Sequence, residues 1–199
     1  MGSPIAERID DVISGGISQL MKMHGFSKTG RTFNRALGTG DWQVLNVQAS
    51  TGNAGEAGKF TVNVGVYLNA ISILAGKSVS GKPKEYDCTY RERIGNLMVG
   101  GRDLWWEISP TTDLHVLATE VASAIRNLAI PWLKMYADIQ CVAAKLGGQT
   151  SVISAAAALA VGDRSEATRR IARLAVDRPM AAATARAWAR DHGLDIDVA

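Results

Sequence analysis

The spacing of apolar residues changes along the chain, and each change marks an element. Across residues 5–24, Ile9, Val12, Ile13, Ile17, Leu20 and Met21 recur every three or four positions, which predicts an amphipathic helix. Gly25 stands where a left-handed C-terminal cap belongs, and Phe26 follows as its apolar clasp. Gly15 and Gly16 interrupt the middle of this helix. A glycine pair there either weakens the helix or lets another backbone come close. The period then drops to two. Residues 31–37 predict a short strand, Gly38-Thr39-Gly40-Asp41 a hairpin turn, and residues 42–50 a second strand. The segment TGNAGEAG (residues 51–58) is a flexible loop between strands. In residues 59–68, Phe60, Val62, Val64, Val66 and Leu68 share one face, while Thr61, Asn63, Gly65 and Tyr67 share the other. Three strands on short connections imply an antiparallel meander.

Residues 75–87 form a polar loop, and residues 88–98 and 104–108 predict two more strands joined by Gly100-Gly101-Arg102-Asp103. A long helix starts near Thr112, with Leu114, Leu117, Val121, Ile125 and Leu128 as its buried stripe. Pro131 kinks or restarts it, and it continues over residues 132–146. After Gly147-Gly148 the chain becomes rich in Ala and Arg and shows three short helical patterns. Asp163-Arg164-Ser165-Glu166 predicts a capping box for the second, and Pro179 suits the first turn of the third. This resembles one helical hairpin of a repeat protein, too short for an array. It is expected to pack on the preceding helix through Ile171, Leu174, Trp188 and Leu194. The predicted class is α+β: an antiparallel sheet of four to five strands, packed with an N-terminal helix and a long helix, then a C-terminal helical appendage. The expected division is an α+β domain over residues 1–147 and a helical extension over 148–199.

Composition narrows the class further. A chain of 199 residues can bury roughly 70% of the surface its unfolded form exposes, so it needs no disulfide or metal to fold. A net charge of +3 is mildly basic, short of the surplus of a dedicated nucleic-acid binder. Cys88 and Cys141 form no CxxC pair, and both are expected to be buried free thiols, as in a reducing compartment. Met1-Gly2-Ser3-Pro4 lacks the basic-then-apolar pattern of a signal peptide, and Ala6 stands where a myristoylation signal needs Ser or Thr. The longest apolar run, residues 152–161, is too short to span a bilayer. These features predict a soluble, cytoplasmic protein with no membrane association.

The central region resembles the family of the domain of unknown function 4304. An N-terminal helix ends in HGFSKTGRTF; the strands LNVQAS and FTVNVGVYL follow; then come CTYRERIG, DLWWEI and a helix carrying AIPWL. The resemblance spans about residues 5–145 and leaves the segment after Gly148 outside. It implies an α+β fold for that span and supplies no catalytic residues.

Candidate chemistry is sparse. Gly76-Lys77-Ser78 ends like a phosphate loop, yet the leading glycine position holds Ile71 and no strand-loop-helix surrounds it. His24 and His192 each precede a glycine at a predicted helix C-terminus, where local structure explains them, and His115 lies near a helix start with Asp113. No HxxxH, HExxH or paired-cysteine spacing calls for a metal, so no metal or cofactor is expected. Residues 12–40 contain Lys22, Lys28, Arg31 and Arg35 and no acidic residue. A solvated, edge-protecting role is the simpler reading of these cations, and contact with an acidic partner the sharper one. The uncharged polar strand face is the best site candidate. Asn46, Gln48 and Ser50 alternate on one strand, Asn63 and Tyr67 on another, and Arg93 with one of Trp105 or Trp106 completes the set. Gln48, Asn63, Tyr67 and Arg93 are the candidate binding residues. An ordinary solvent-facing sheet side is the alternative reading of this face. The absence of a nucleophile, metal or nucleotide constellation favours a non-enzymatic protein-interaction factor, immunity-like or accessory, with another protein as partner. The alternative is an enzyme or binder of a small polar or nucleotide-like ligand on the same face. Convergence of those residues in a concave, partly enclosed site favours the alternative.

Overall fold

The computed structural model describes residues 3–196. Helix α1, Pro4–Val12, opens with proline in its first turn, where the missing N–H is no loss. It passes through a π turn, Ile13–Ile17, and continues as α2, Ser18–Met23. Both glycines lie in the widened turn. A Cβ on Gly16 would sit 3.0 Å from the carbonyl oxygen of Ala118, so the glycine lets another helix approach at backbone distance. At the far end Gly25 takes φ 78°, its N–H donates to Lys22 and that of Phe26 to Met21, which closes the helix as predicted.

Four strands follow: β1 Ser27–Thr29, β2 Thr32–Ala36, β3 Trp42–Ala49 and β4 Gly58–Tyr67. Helix α3, Asn69–Leu74, comes next, in the stretch between the predicted strand and the polar loop to which the sequence pattern assigns no element. Gly76 ends this helix at φ 72°, so the Gly-Lys-Ser segment terminates a helix instead of opening one. Strand β5, Tyr90–Arg93, stops early because a 3-10 turn, Ile94–Leu97, replaces the rest of the expected strand; Gly95 there packs directly on the Arg102 carbonyl. Strand β6 is Trp106–Ile108. All strand pairings are antiparallel in the order β1-β2-β3-β4-β5, and β6 pairs β4 at Gly58–Phe60 beside β5 at Asn63–Val66. The sheet is the expected antiparallel one, with the five predicted strands and a sixth. The extra one is β1, whose Ser-Lys-Thr sequence carries no apolar alternation.

Helix α4, Leu114–Ala124, is capped by Asp113, which accepts from the His115 and Val116 N–H groups. A π turn, Ile125–Ala129, leads to α5, Ile130–Met135. Pro131 cannot donate a helical hydrogen bond, and the wide turn just before it absorbs the defect. The predicted continuation to residue 146 is broken: Asp138 caps a new helix, α6 Ile139–Leu146, by accepting from the Gln140 N–H. Three more helices follow, α7 Val152–Ala160, α8 Arg164–Asp177 and α9 Ala182–Asp191. Asp163 caps α8 through the Glu166 N–H, but the Glu166 carboxylate turns to Arg169 and Arg170, so the expected box is half formed. Among the described residues no helix is long and apolar enough to cross a membrane.

The chain gathers into two compact units. The first, Met1–Tyr67 with Gly81–Met135, holds the sheet, α1, α2, α4 and α5. Its core unites Ile9, Ile13 and Ile17 with Leu45, Val47, Phe60, Val62, Val64 and Val66 from one sheet face, and with Val121, Ile125 and Leu133. The second, Leu68–Ser80 with Tyr136–Ala199, holds α3 and α6–α9, so the composition change at Gly147-Gly148 falls inside it. There Ala155, Ala156, Ala157 and Ala158 are all buried, the small side chains admitting neighbours on every side of α7. Ile171, Leu174, Trp188 and Leu194 are buried in this unit, and the Trp188 Nε1 donates to the Leu74 carbonyl at 2.7 Å. Arg170, only 7% exposed, donates to the Ala143 and Ser154 carbonyls and to Glu166.

Two measurements check these assignments. Chemical denaturation should show Gly15→Ala stabilising, since an added Cβ meets only the Ala118 methyl at 3.6 Å and helix entropy improves by roughly 0.4–1 kcal/mol. Gly16→Val should instead destabilise by about 1–3 kcal/mol, because its Cβ must displace backbone. In the second unit, the Arg170 guanidinium foremost, then that of Arg169, holds the Glu166 carboxyl below its ordinary value. A lowered folded value means the contribution is present above the unfolded value of about 4.3 and lost as pH falls through the folded one. Glu166→Gln should cost about 1–2 kcal/mol near neutral pH, and its gap to wild type should close progressively below about pH 4.

Candidate functional site

Register decides which side chains share the polar face. Trp42 stands opposite Tyr67, Val44 opposite Gly65, Asn46 opposite Asn63 and Gln48 opposite Thr61. On β5, Asn63 faces Arg93 and Gly65 faces Arg91, so both arginines rise on this same face. Two long-range segments then cover parts of it. The first is a 3-10 turn, Glu85–Asp87, and its flanks: the Asn34 Nδ2 donates to the Pro83 carbonyl at 2.7 Å, and a Cβ on Gly65 would collide with the Cys88 Sγ at 2.6 Å. The second leads into β6: the Thr61 hydroxyl donates to the Leu104 carbonyl at 2.8 Å.

Between these two walls lies an open depression of about 430 Å³. Its floor is amide: the Asn63 Nδ2 donates to the Gln48 Oε1 at 2.7 Å. The two β5 arginines reach in opposite directions. Arg91 pairs with Glu85 on one wall at 2.7 Å, and Arg93 pairs with Asp103 on the other. Asn96 donates to Glu92 at 2.9 Å along the same rim. Beside the depression, Trp105 is held between two cations, with the Arg93 guanidinium 5.0 Å and the Lys59 ammonium 5.3 Å from its ring centre. Its indole N–H donates to Asp103 at 2.8 Å. The bonds from Arg93 first, then from Trp105, hold the Asp103 carboxyl below the usual carboxylate range.

Gln48, Asn63 and Arg93 therefore line one depression. Tyr67 has the expected strand parity but lies four residues further along β4, beyond Gly65 and its Cys88 cover, and is only 4% exposed. It does not line the depression. Of the adjacent tryptophans, Trp106 is the core residue, stacked on Phe60 with ring centres 5.8 Å apart, and Trp105 is the surface one. The expected set omitted Arg91, Glu85 and Asp103. Arg91 was legible, because Arg91-Glu92-Arg93 repeats a cation every second residue in a strand. Glu85 and Asp103 reach the site from loops, and strand periodicity says nothing of loop placement.

The histidines lie elsewhere. His24 ends α2 and His192 ends α9 with its ring 4.3 Å from that of Trp188, while His115 sits in the first turn of α4. Among the described residues no group of three or more His, Cys, Asp or Glu side chains is gathered as metal ligands would be. Cys88 is buried, whereas Cys141 is half-exposed on α6, contrary to the expectation of two buried thiols. The Cys88 Sγ lies 3.7 Å from the Lys84 carbonyl, and the Cys141 Sγ lies 3.9 Å from the Asp138 carboxylate at the start of its helix.

Residues 17–135 match the model of a family described as a domain of unknown function, DUF4304. Searches of curated proteins and of solved structures find no match to the chain.

The two thiols should react differently. Burial, foremost, with the nearby Glu85 and Asp87 charges pushes the Cys88 thiol far up, away from the reactive thiolate. In native protein an aromatic disulfide reagent should titrate one thiol, Cys141, and in denaturant a second. A Cys141→Ser variant should show almost no native reaction.

Proposed function

We propose that this chain, which belongs to the DUF4304 family, is a non-enzymatic protein-interaction factor, immunity-like or accessory, that engages a partner through the depression on its sheet face. The observation that supports this reading most is the composition of the depression and its rim. Arg91 and Arg93 there are already neutralised by Glu85 and Asp103, the floor is a bonded pair of amides, and a tryptophan with two cations stands at the edge. Small-molecule sites bury most of their ligand among apolar walls. This depression is open and polar, and Trp with Arg is the pairing enriched at the energetic centres of protein interfaces. A cytoplasmic location belongs to this proposal, supported by two cysteines that are both free. A protein partner, and not nucleic acid, agrees with a net charge of only +3.

A second reading retains one favourable observation: Gln48, Asn63, Arg91 and Arg93 converge in one depression. Two arginines above two amides would suit a small polar or nucleotide-like ligand with an anionic group.

Affinity capture with the tagged chain, compared with a Trp105→Ala/Arg93→Ala variant, tests the first reading. A specific partner should be enriched on wild type and fall about tenfold or more on the variant, the loss of one interface centre. Recovery of the same partners by both proteins would overturn it. If millimolar nucleotides or inorganic phosphate raise the melting temperature of wild type but not of Arg91→Ala, the second reading replaces the first.

A further inference from the structure

The helix layer of the sheet-bearing unit carries a groove that the sheet face does not explain. It runs along α2 and the π turn before it, beside α4, where Gly16 brings the two backbones together. Leu20, Ala122 and Gly16 form its floor and Met23 its exposed end, with about 430 Å³ of open space. A second depression of about 670 Å³ adjoins it along Gln19 and Met23, on the Ser14, Ser18 and Lys22 side of the helix. Met23 is 68% exposed, a large apolar side chain presented to water at the groove's mouth.

The charge of this lining is of one sign. Arg126 lines the first depression and Lys22 the second, and no acidic side chain lines either. Neither cation makes an ion pair or side-chain hydrogen bond among the described residues, whereas Arg31, Arg91, Arg93, Arg169 and Arg170 each hold a carboxylate. The α2 side also lies within the stretch of residues 12–40 that has no Asp or Glu. From Ser14 to Met23 the groove follows about 13 Å of helix axis, the rise of two to three turns. That length matches anchors at positions i, i+3 or i+4, and i+7 of a docked helix.

We propose that this groove is a docking site for an acidic amphipathic helix of a partner protein. The apolar anchors would lie over Leu20, Ala122 and Met23, and flanking carboxylates would meet Lys22 and Arg126. Gly16 matters twice, since the close helix crossing it allows also sets the groove's width.

The probe is a labelled synthetic helix about four turns long, with leucines at i, i+4 and i+7 and glutamates on both flanks. Fluorescence anisotropy with the full chain should show saturable micromolar binding that weakens at high salt. A Lys22→Glu/Arg126→Glu variant should bind about tenfold more weakly or worse, and Met23→Asp should also lose affinity. All three positions are exposed, and unchanged circular dichroism and melting would show that the variants fold. Amide chemical-shift changes should cluster at residues 14–23 and 116–126. The Trp105→Ala/Arg93→Ala variant should bind the peptide as wild type does, which separates this test from that of the sheet face. Equal binding of a lysine-flanked peptide, indifference to the Lys22/Arg126 reversal, or no binding at all would overturn the proposal. So would sedimentation showing a wild-type dimer that the reversal dissolves, because a second copy would then be the occupant. Binding of phosphatidylserine vesicles with the same charge dependence, in place of the peptide, would overturn it as well.

Discussion

A buried amide holds the sheet-bearing unit together. Gln43 is wholly inaccessible and sits on the apolar side of β3, between Leu45 and the hairpin. Its Nε2 donates to the Leu133 carbonyl in the last turn of α5, and its Oε1 accepts from the Arg35 Nε on the paired residue of β2. Arg35 passes the connection on, donating to the His24 carbonyl at the end of α2, with its guanidinium 5.0 Å from the Phe26 ring centre. One amide and one guanidinium thus satisfy the free carbonyls of two helix ends, with positive charge where the helix dipole favours it. An unpartnered amide here would cost about 1–3 kcal/mol, so the two helices have a single satisfactory placement on the sheet. That placement covers the Val- and Phe-rich face with α1, α2, α4 and α5 and leaves the opposite face to the loops.

The opposite face takes its form from β5. Two arginines separated by one residue must project the same way from a strand, yet each needs a carboxylate. Arg91 finds Glu85 before the strand and Arg93 finds Asp103 after it, so one short strand braces both walls of the depression. Buried contacts beneath fix the wall heights: Cys88 fills the space that only glycine at position 65 leaves, and Leu104 takes the Thr61 hydroxyl. The open floor between is the stretch where Gln48 and Asn63 bond each other.

Local pattern exposed much of this and missed the rest for identifiable reasons. The alternation in β4 correctly assigned Phe60 to Val66 inward and Asn63 outward, because parity is a property of the strand itself. The Gly25 cap and the hairpin at residues 38–41 are likewise short-range chemistry. Tyr67 lies outside the depression because what covers a strand face arrives from distant sequence, as Cys88 does over Gly65. The helical period overruns the end of α5 because Ile139, Val142 and Leu146 keep it beyond the break, and only the Asp138 cap marks that break. Helix α3 follows β4 without an intervening turn signal, so Ile71 reads as easily as strand or loop. The folding of residues 68–80 with the C-terminal helices is a non-local event that composition at Gly147-Gly148 does not register.

The electrostatics of the depression bear on what it can do. A general acid needs a carboxyl whose value is raised toward neutrality by burial or by a like charge. Asp103 has the opposite environment: exposed, bonded by Arg93 and Trp105, and held ionised further into acid. The group on this face pushed toward its neutral form is the Cys88 thiol, and burial under residues 84–88 keeps it from any ligand in the depression. Paired, ionised and solvent-facing side chains instead suit exchange: an incoming carboxylate or guanidinium can replace an internal partner at little net electrostatic change, since solvent screens each exposed pair. Such exchange gives orientation and selectivity more than tightness. The tightness of an interface here would have to come from Trp105, which offers a broad apolar surface already fixed by two cations and a hydrogen bond, so little side-chain freedom remains to be lost on contact.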